Sequence, residues 1–404
     1  MTGTLADDPL LRFRPEFPIL GRSTYLISNS LGAMPRGAAA ALAEYAETWA
    51  TRGVRAWGEG WWDLSSTLGD EIAPLLGAPA GSVSMLPNVT SASAVLLSSL
   101  RYEGPRNRIV VIDGEFPSVR YVYESLATRL GAEIVTVPSP RGDGLTADEE
   151  RIAAAIDDRT ALVAVSHVLF KSAFVLDMTA IAEKCRRVGA LLAVDAYQSA
   201  GTLPVSVDAL GADALVGGVL KWLCGGPGGA FLYVSPELRP RLHPALTGWM
   251  AHPAPFDFEP PPIRHRDDAF RFLLGTPAIP ALYAGREGPR LLRAAGAGPV
   301  REKSLRQTSK LLELSDARGF RSETPRDAAR RGGTVAIDFD HALEISRELN
   351  ARDVVVDFRP GVGIRISPHF YTEDAELTRA FEAIDEIRES GSWRRWISRP
   401  ALVT

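Results

Sequence analysis

The sequence predicts an α/β protein built on a mostly parallel sheet packed between helices, followed by a smaller α+β unit. Three observations carry this. Short apolar runs alternate with helical periods between residues 105 and 235, the rhythm of strand–helix–strand crossovers. The runs are continuous rather than alternating, as expected of strands covered on both faces. A Pro/Gly-rich tract, "HPAPFDFEPPPIRHRD" at 252–267, breaks the rhythm, and the pattern that resumes beyond it mixes strands with helices.

Taken in order, the first ~50 residues carry one helix, "PRGAAAALAEYAETWA". Pro35 suits its start, where a backbone N–H would have no partner anyway. These residues precede the large sheet and are expected to pack on the smaller unit. Then "RIVVID", "EIVTV", "ALVAVSHV", "LLAVDA", "ALVGG" and "AFLYV" read as buried parallel strands. Between them "VRYVYESLATRLG", "DEERIAAAID" and "DMTAIAEKCRRVG" read as helices, with Gly131 and Gly189 as stop signals after the last apolar turns. A long helical stretch runs from about 277 to 316. "GTVAIDFD", the helix "HALEISRELNAR", "VVVDFRP", "GIRISP" and the helix "DAELTRAFEAIDEIRES" complete the chain. The implied division is an N-terminal segment (1–50), a large domain (51–290) and a small domain (291–404).

Composition narrows the function. With 404 residues, 46% hydrophobic and 23% charged, the chain has ordinary globular character and enough length for a large core. The net charge of −4 and the lack of basic runs interleaved with aromatics argue against a nucleic-acid partner. No apolar run reaches the ~18 residues a spanning helix needs. The opening "MTGTLADDPLLRFRPEFP" is acidic and broken by proline, unlike a signal peptide. Cys185 and Cys224 form no CxxC and no metal-ligand spacing, so a reduced, cytoplasmic setting without a bound metal is expected.

The chain holds 40 Arg but five Lys: Lys171, Lys184, Lys221, Lys303 and Lys310. Lys221 follows the strand-like "DALVGGVL", precedes the glycine run "CGGPGG", and lies 26 residues after Asp195, which ends the strand "LLAVD". Ligands of parallel sheets sit at such carboxyl ends. An aspartate buried there needs a cation or several donors, and a desolvated lysine becomes a nucleophile. Pyridoxal phosphate (PLP) requires both: a lysine to carry it and a carboxylate against its pyridinium nitrogen. Its phosphate suits a helix N-terminus, which "LPNVTSASAVLLSSL" offers at Thr90 and Ser91. Its ring needs a stacking partner, which Phe116 in the strand-end loop "DGEFPSVRY" supplies. Lys171, in "SHVLFKSAF", also follows a strand but lacks the glycine turn and the paired aspartate.

The blocks "NSLGAMP", "FPS", "SHV", "VDAYQSAG", "KWLCGGPGGAFLYV", "GWMAHPAPF" and "RFLLGTPAI" occur in an order that resembles the class V aminotransferase group of fold-type I PLP enzymes, most closely its kynureninase-like members. The resemblance runs from "YLISNSLGAMPR" to "GIRISP" and implies a seven-stranded-type, mostly parallel sheet. It implies that Lys221 holds the cofactor as a Schiff base and shuttles the Cα proton, that Asp195 pairs with the ring nitrogen, and that Gln198 reaches the ring's 3-oxygen. Phe116 would stack on the ring and Thr90 and Ser91 would bind the phosphate. Trp249 and Thr276 would reach the phosphate of a neighbouring subunit, in a homodimer with shared sites. Arg365 would take the substrate α-carboxylate with help from Asn29. His167, His252 and His265, and the tryptophans Trp57, Trp61 and Trp62, border the same blocks without an assigned role.

Three positions depart from the kynureninase pattern. Leu220 stands where a tyrosine precedes the lysine, Gln198 where a histidine is found, and Val119 where an aspartate follows the "FP" pair. The loss of an acid/base group typically costs about 10²–10⁴ in rate, so these departures point away from kynurenine hydrolysis. Similar proteins of lincosamide antibiotic pathways act on cysteine S-conjugates, cleaving Cβ–S or decarboxylating and deaminating oxidatively. The expectation is therefore a lyase-type reaction at Cβ of an L-amino acid. An aminotransferase and an oxidative decarboxylation-deamination are the alternatives.

Overall fold

The computed structural model describes residues 8–102 and 104–397. Its centre is a seven-stranded sheet: β1 (Val83–Leu86), β2 (Arg108–Ile112), β3 (Glu133–Val137), β4 (Thr160–Ser166), β5 (Leu191–Asp195), β6 (Ala214–Gly218) and β7 (Ala230–Val234). The order across the sheet is β1-β7-β6-β5-β4-β2-β3. Neighbours from β3 through β6 are parallel, whereas β7 runs antiparallel to both β6 and β1. "AFLYV" is thus no parallel strand. The short connection 219–229 that feeds it contains no helix, and a parallel return needs a crossover of a dozen or more residues. Strand β1, "VSML", escaped the sequence reading because four apolar-to-small residues between Gly81 and Pro87 carry little periodicity.

Helices Val89–Ser98, Pro117–Leu130, Glu149–Ala155 and Thr179–Val188 cover the sheet. Gly131 (φ 76°) and Gly189 (φ 74°) end two of them in the left-handed conformation that glycine adopts without strain. The side chains of β2, β4, β5 and β6 divide between two cores, one on each face. Val110, Val163, Val194 and Leu215 fall in the first, and Ile109, Leu162, Ala193 and Val216 in the second. The stretch 277–316 is three helices, Ile279–Ala284, Glu287–Ala295 and Ala297–Asp316, separated at Gly285 and Gly296.

A second sheet, β8 (Val335–Ile337), β9 (Asp357–Arg359) and β10 (Gly363–Ile366), is antiparallel in the order β9-β10-β8. Helices Ala342–Ala351 and Asp374–Ser390 pack on it around Ile337, Ile364, Leu377 and Phe381. The N-terminal segment joins this unit: Thr24–Tyr25 pairs in parallel with Val354–Val355, and Arg14 donates to Glu376 (2.7 Å) and to the Tyr371 carbonyl (3.0 Å). Helix Arg36–Arg52 instead packs against Ile279–Ala284. Among the described residues no helix is long and apolar enough to cross a membrane.

Candidate active site

The carboxyl ends of β2, β4, β5 and β6 converge on a cavity of about 210 Å³. Register places Ser166 beside Asp195, so β4 and β5 end side by side, while β6, paired to Asp195 at Val216, runs two residues further to Gly218. Asn88, Thr90, Phe116, Ser118, Ser166, Asp195, Tyr197, Gln198 and Lys221 line the cavity, together with Val119, Val168, Phe170 and Leu220.

Lys221 is presented by the turn that follows β6. The Leu220 carbonyl accepts from Gly32 N–H (2.9 Å), the Lys221 carbonyl from Cys224 N–H (3.0 Å), and the Val219 carbonyl from Gly225 N–H (2.7 Å). Gly32 permits this: a Cβ there would lie 2.1 Å from the Lys221 carbonyl oxygen. The Lys221 amine lies 4.1 Å from the Tyr197 ring centroid and 5.4 Å from that of Phe116. Enclosure lowers its pKa to about 8, against the pull of the Asp195 carboxylate. Asp195 Oδ1 accepts from Tyr197 N–H (2.7 Å). Burial raises its pKa, while that N–H and Lys221 act the other way. No ion pair within 4 Å joins the two among the described residues, so each faces the cavity rather than the other.

The end of the cavity expected to hold a phosphate differs in detail from the sequence reading. Asn88 is the N-cap of helix Val89–Ser98, its side chain accepting from Ser91 N–H. Thr90 and Ser91 are therefore first-turn residues. Thr90 lines the cavity; the Ser91 hydroxyl donates to Asn88 Oδ1 (3.1 Å) and does not. Gln198 is fixed at both ends of its amide, Nε2 donating to the Asn29 carbonyl (3.0 Å) and Oε1 accepting from the Trp222 indole (2.9 Å). Phe116 caps helix Pro117–Leu130 and meets Phe170 edge-on, with ring centroids 5.2 Å apart.

The two residues expected to bind substrate sit otherwise than in the open. Arg365 is buried on β10, outside the cavity lining. Its fork is held by Asp357, directly across on β9, through Nε (2.8 Å) and Nη2, and its Nη1 donates to the Phe170 carbonyl (2.5 Å). Arg359 also pairs with Asp357 (3.1 Å). Asn29 is 1% exposed, yet neither its Oδ1 nor its Nδ2 has a hydrogen-bond partner. A buried amide left unpaired beside Gln198 is the mark of a site that a polar ligand completes. Trp249 and Thr276 are exposed and do not reach this chain's own cavity. Trp249 packs on Trp62 and Phe256, and Thr276 lines a separate pocket with Met85, Leu86 and Pro87.

Lys171 lies with Asp113, Glu115, Arg120 and Glu124 on a different cavity, away from Asp195. His167 is buried, Nδ1 unpartnered and its pKa lowered to about 4 by burial, so it is neutral near pH 7. His252 accepts Ala254 N–H. Trp61 donates to the Tyr283 hydroxyl, and Trp57 packs against Trp61 and Trp62. None of these lines the Lys221 cavity.

The sequence reading missed four participants: Asn88, Ser166, Tyr197 and Glu115. Glu115 is 5% exposed, accepts Ser166 N–H (2.7 Å), and bonds the Ser166 hydroxyl. Burial, aided by the nearby Asp195 carboxylate, raises its pKa to about 8. Of the four, Asn88 carried a sequence signal, being a cap-type residue directly before the helix.

An enclosed amine and a carboxylate lining one cavity, the free N–H groups of a helix start, an aromatic wall and, behind the lining, an unpaired buried amide form a set that fits PLP. Comparison with known proteins agrees. The model of the family described as "Aminotransferase class-V" matches residues 24–361. A kynureninase of Pseudomonas fluorescens is 34% identical over 404 residues, and one of Burkholderia pseudomallei (strain 1106a) is 31% identical over 405; each alignment covers 96% of this chain and 94% of the relative. In fold, the chain resembles the cysteine desulfurase of Thermococcus onnurineus NA1 (TM-score 0.83, 21% identity, 96% of this chain and 100% of that one). It also resembles a C-DES mutant with glycine covalently linked to its PLP cofactor (TM-score 0.83, 22% identity, 92% and 98%). By the extent of the family match and the kynureninase identities, the chain belongs to the class V aminotransferase family and is kynureninase-like.

Proposed function

We propose that the protein is a PLP-dependent lyase acting at Cβ of an L-amino acid. One observation carries the reading: the Lys221 amine and the Asp195 carboxylate open on one cavity at the start of a helix. Bound there, the cofactor supplies an electron sink for the bond broken at Cα. The chain's own residues do the rest. The free N–H groups of Val89 and Thr90, and the Thr90 hydroxyl, bind the phosphate. Asp195 holds a proton at the ring nitrogen, and Gln198, fixed by Trp222 and Asn29, presents its remaining amide N–H to the ring oxygen. Phe116 walls one side.

Lys221 Nζ takes the substrate's Cα proton. A pKa of about 8 leaves roughly a tenth of the amine neutral at pH 7, enough for a base that works by repeated protonation and release. Asp357 and the Phe170 carbonyl take three of the five N–H groups of Arg365; the two left on its Nη atoms, with the unpaired Asn29 amide behind the lining, would receive the substrate carboxylate. Trp249 and Thr276, exposed and outside their own cavity, complete the phosphate site of a second copy in a homodimer.

The substrate side chain meets an apolar wall. Leu220 and Val119, two of the departures from the kynureninase pattern, both line the cavity. That wall lacks the acid/base groups of kynurenine hydrolysis and favours a substrate whose leaving group departs unaided, such as the thiolate of a cysteine S-conjugate in specialised metabolism. The fold neighbours include the complex between "the cystine C-S lyase C-DES" and its product cysteine persulfide (TM-score 0.81, 22% identity). An aminotransferase or an oxidative decarboxylation-deamination is the second reading, because the same amine and carboxylate serve all three. Incubation with cysteine S-conjugates separates them. Pyruvate, ammonia and free thiol are expected from the lyase. A keto acid with the amine form of the cofactor marks an aminotransferase, and oxygen uptake with carbon dioxide release marks the oxidative route; either result defeats the lyase reading.

A further inference from the structure

Tyr197 has no role in the scheme above, yet it is the nearest aromatic face to the reactive amine. It follows Asp195 by two residues, and its N–H donates to Asp195 Oδ1 (2.7 Å). Its ring is seated on the end of β6: a Cβ on Gly218 would lie 2.7 Å from Tyr197 Cε2, Cζ and Oη, so glycine at 218 is what leaves room for it. The Lys221 amine sits 4.1 Å from the ring centroid, closer than to Phe116 at 5.4 Å. Among the described residues no hydrogen bond or ion pair engages that amine. The charges around it oppose one another: Asp195 and Asp357 favour the ammonium, Arg365 and Arg359 disfavour it, and burial disfavours it most. Burial and the Asp195 carboxylate raise the Tyr197 phenol above its ordinary pKa, so the ring is neutral at any working pH and its negative face is intact.

We infer that Tyr197 is a positioning residue: its ring face is the resting place of the Lys221 ammonium whenever that amine is not covalently engaged. The contact is of the cation–π kind, stronger in a desolvated site than at a surface. It retains the amine beside the point where a proton must be delivered, without an ion pair to Asp195 that would withdraw the carboxylate from the ring nitrogen. The inference deepens the proposed role of Lys221 and rests on it.

The test reads the amine itself in full-length protein stripped of cofactor. Competitive trace acetylation across pH, followed by peptide mass analysis, resolves each of the five lysines. Tyr197→Phe keeps the face and leaves the Lys221 pKa where it is. Fluorinated phenylalanines at 197 weaken the face without changing its shape, and lower the Lys221 pKa stepwise by up to about one unit. Tyr197→Leu lowers it by a similar amount. A flat series, or a rise, overturns the inference, and the fluorinated series remains informative if the leucine variant fails to fold. Failure of the parent reading looks different: the visible absorption of bound cofactor would survive Lys221→Ala, whatever the titration shows.

Discussion

Replacing Glu115 by glutamine should make the cofactor-free protein more stable at pH 8 and leave it unchanged at pH 4.5. Glu115 is buried beside Asp195, and its pKa is raised from 4.5 to about 8 by burial first, with Asp195 adding to the effect; the Ser166 bonds and Arg120 pull it back only in part. Below pH 4.5 the carboxyl is protonated both folded and unfolded, and contributes its full share of stability. Between about 4.5 and 8 the unfolded chain releases the proton while the folded one retains it, so stability falls by up to 1.36 kcal/mol per pH unit. Over roughly 3.5 units this sums to a ceiling of about 5 kcal/mol, reached as pH passes 8. Glutamine mimics the protonated acid: its carbonyl accepts Ser166 N–H and its amide donates to the Ser166 hydroxyl. Urea unfolding of both proteins at half-unit steps from pH 4.5 to 8.5 should give a difference that grows with pH and then levels. Parallel curves would show that Glu115 is ionised and solvated in the folded protein, and would refute the reasoning.

The remaining expectations concern the cavity. Asp195→Asn preserves an acceptor for Tyr197 N–H but not the charge proposed to face the ring nitrogen; turnover should fall about 10²–10³-fold with little change in the unfolding midpoint. Gly32→Ala forces a Cβ to within 2.1 Å of the Lys221 carbonyl and 2.9 Å of Cys224. It should cost about 1–3 kcal/mol in urea unfolding and lower cofactor occupancy measured by absorbance. Trp222→Phe leaves Gln198 Oε1 buried without its donor, which should cost about 1–3 kcal/mol and shift the absorption of bound cofactor as Gln198 loses its orientation.

How much of this was legible in the sequence depends on whether a residue's role is local or made by strand neighbours. Lys221, Asp195 and Phe116 announce themselves because strand ends, glycine turns and following helices are read along the chain. The helix proposed to take the phosphate was equally visible, though its cap, Asn88, lies two residues before Thr90. Glu115 was not legible. It is adjacent to Phe116 in sequence, but its burial follows from β2 and β4 being neighbours, which carries Ser166 to it. Arg365 was singled out for a substrate role, but its engagement by Asp357 depends on the β9–β10 register, which brings residues eight apart face to face. Strand β7 was found and its direction was not, since an apolar run looks the same read either way.

The central claim is that one lysine, Lys221, carries the cofactor. Loading the purified protein with pyridoxal phosphate, reducing it with borohydride and mapping the peptides by mass tests this directly. The account predicts the pyridoxyl group on the peptide containing Lys221 and nowhere else; finding it on Lys171, or finding no modified lysine, would contradict it.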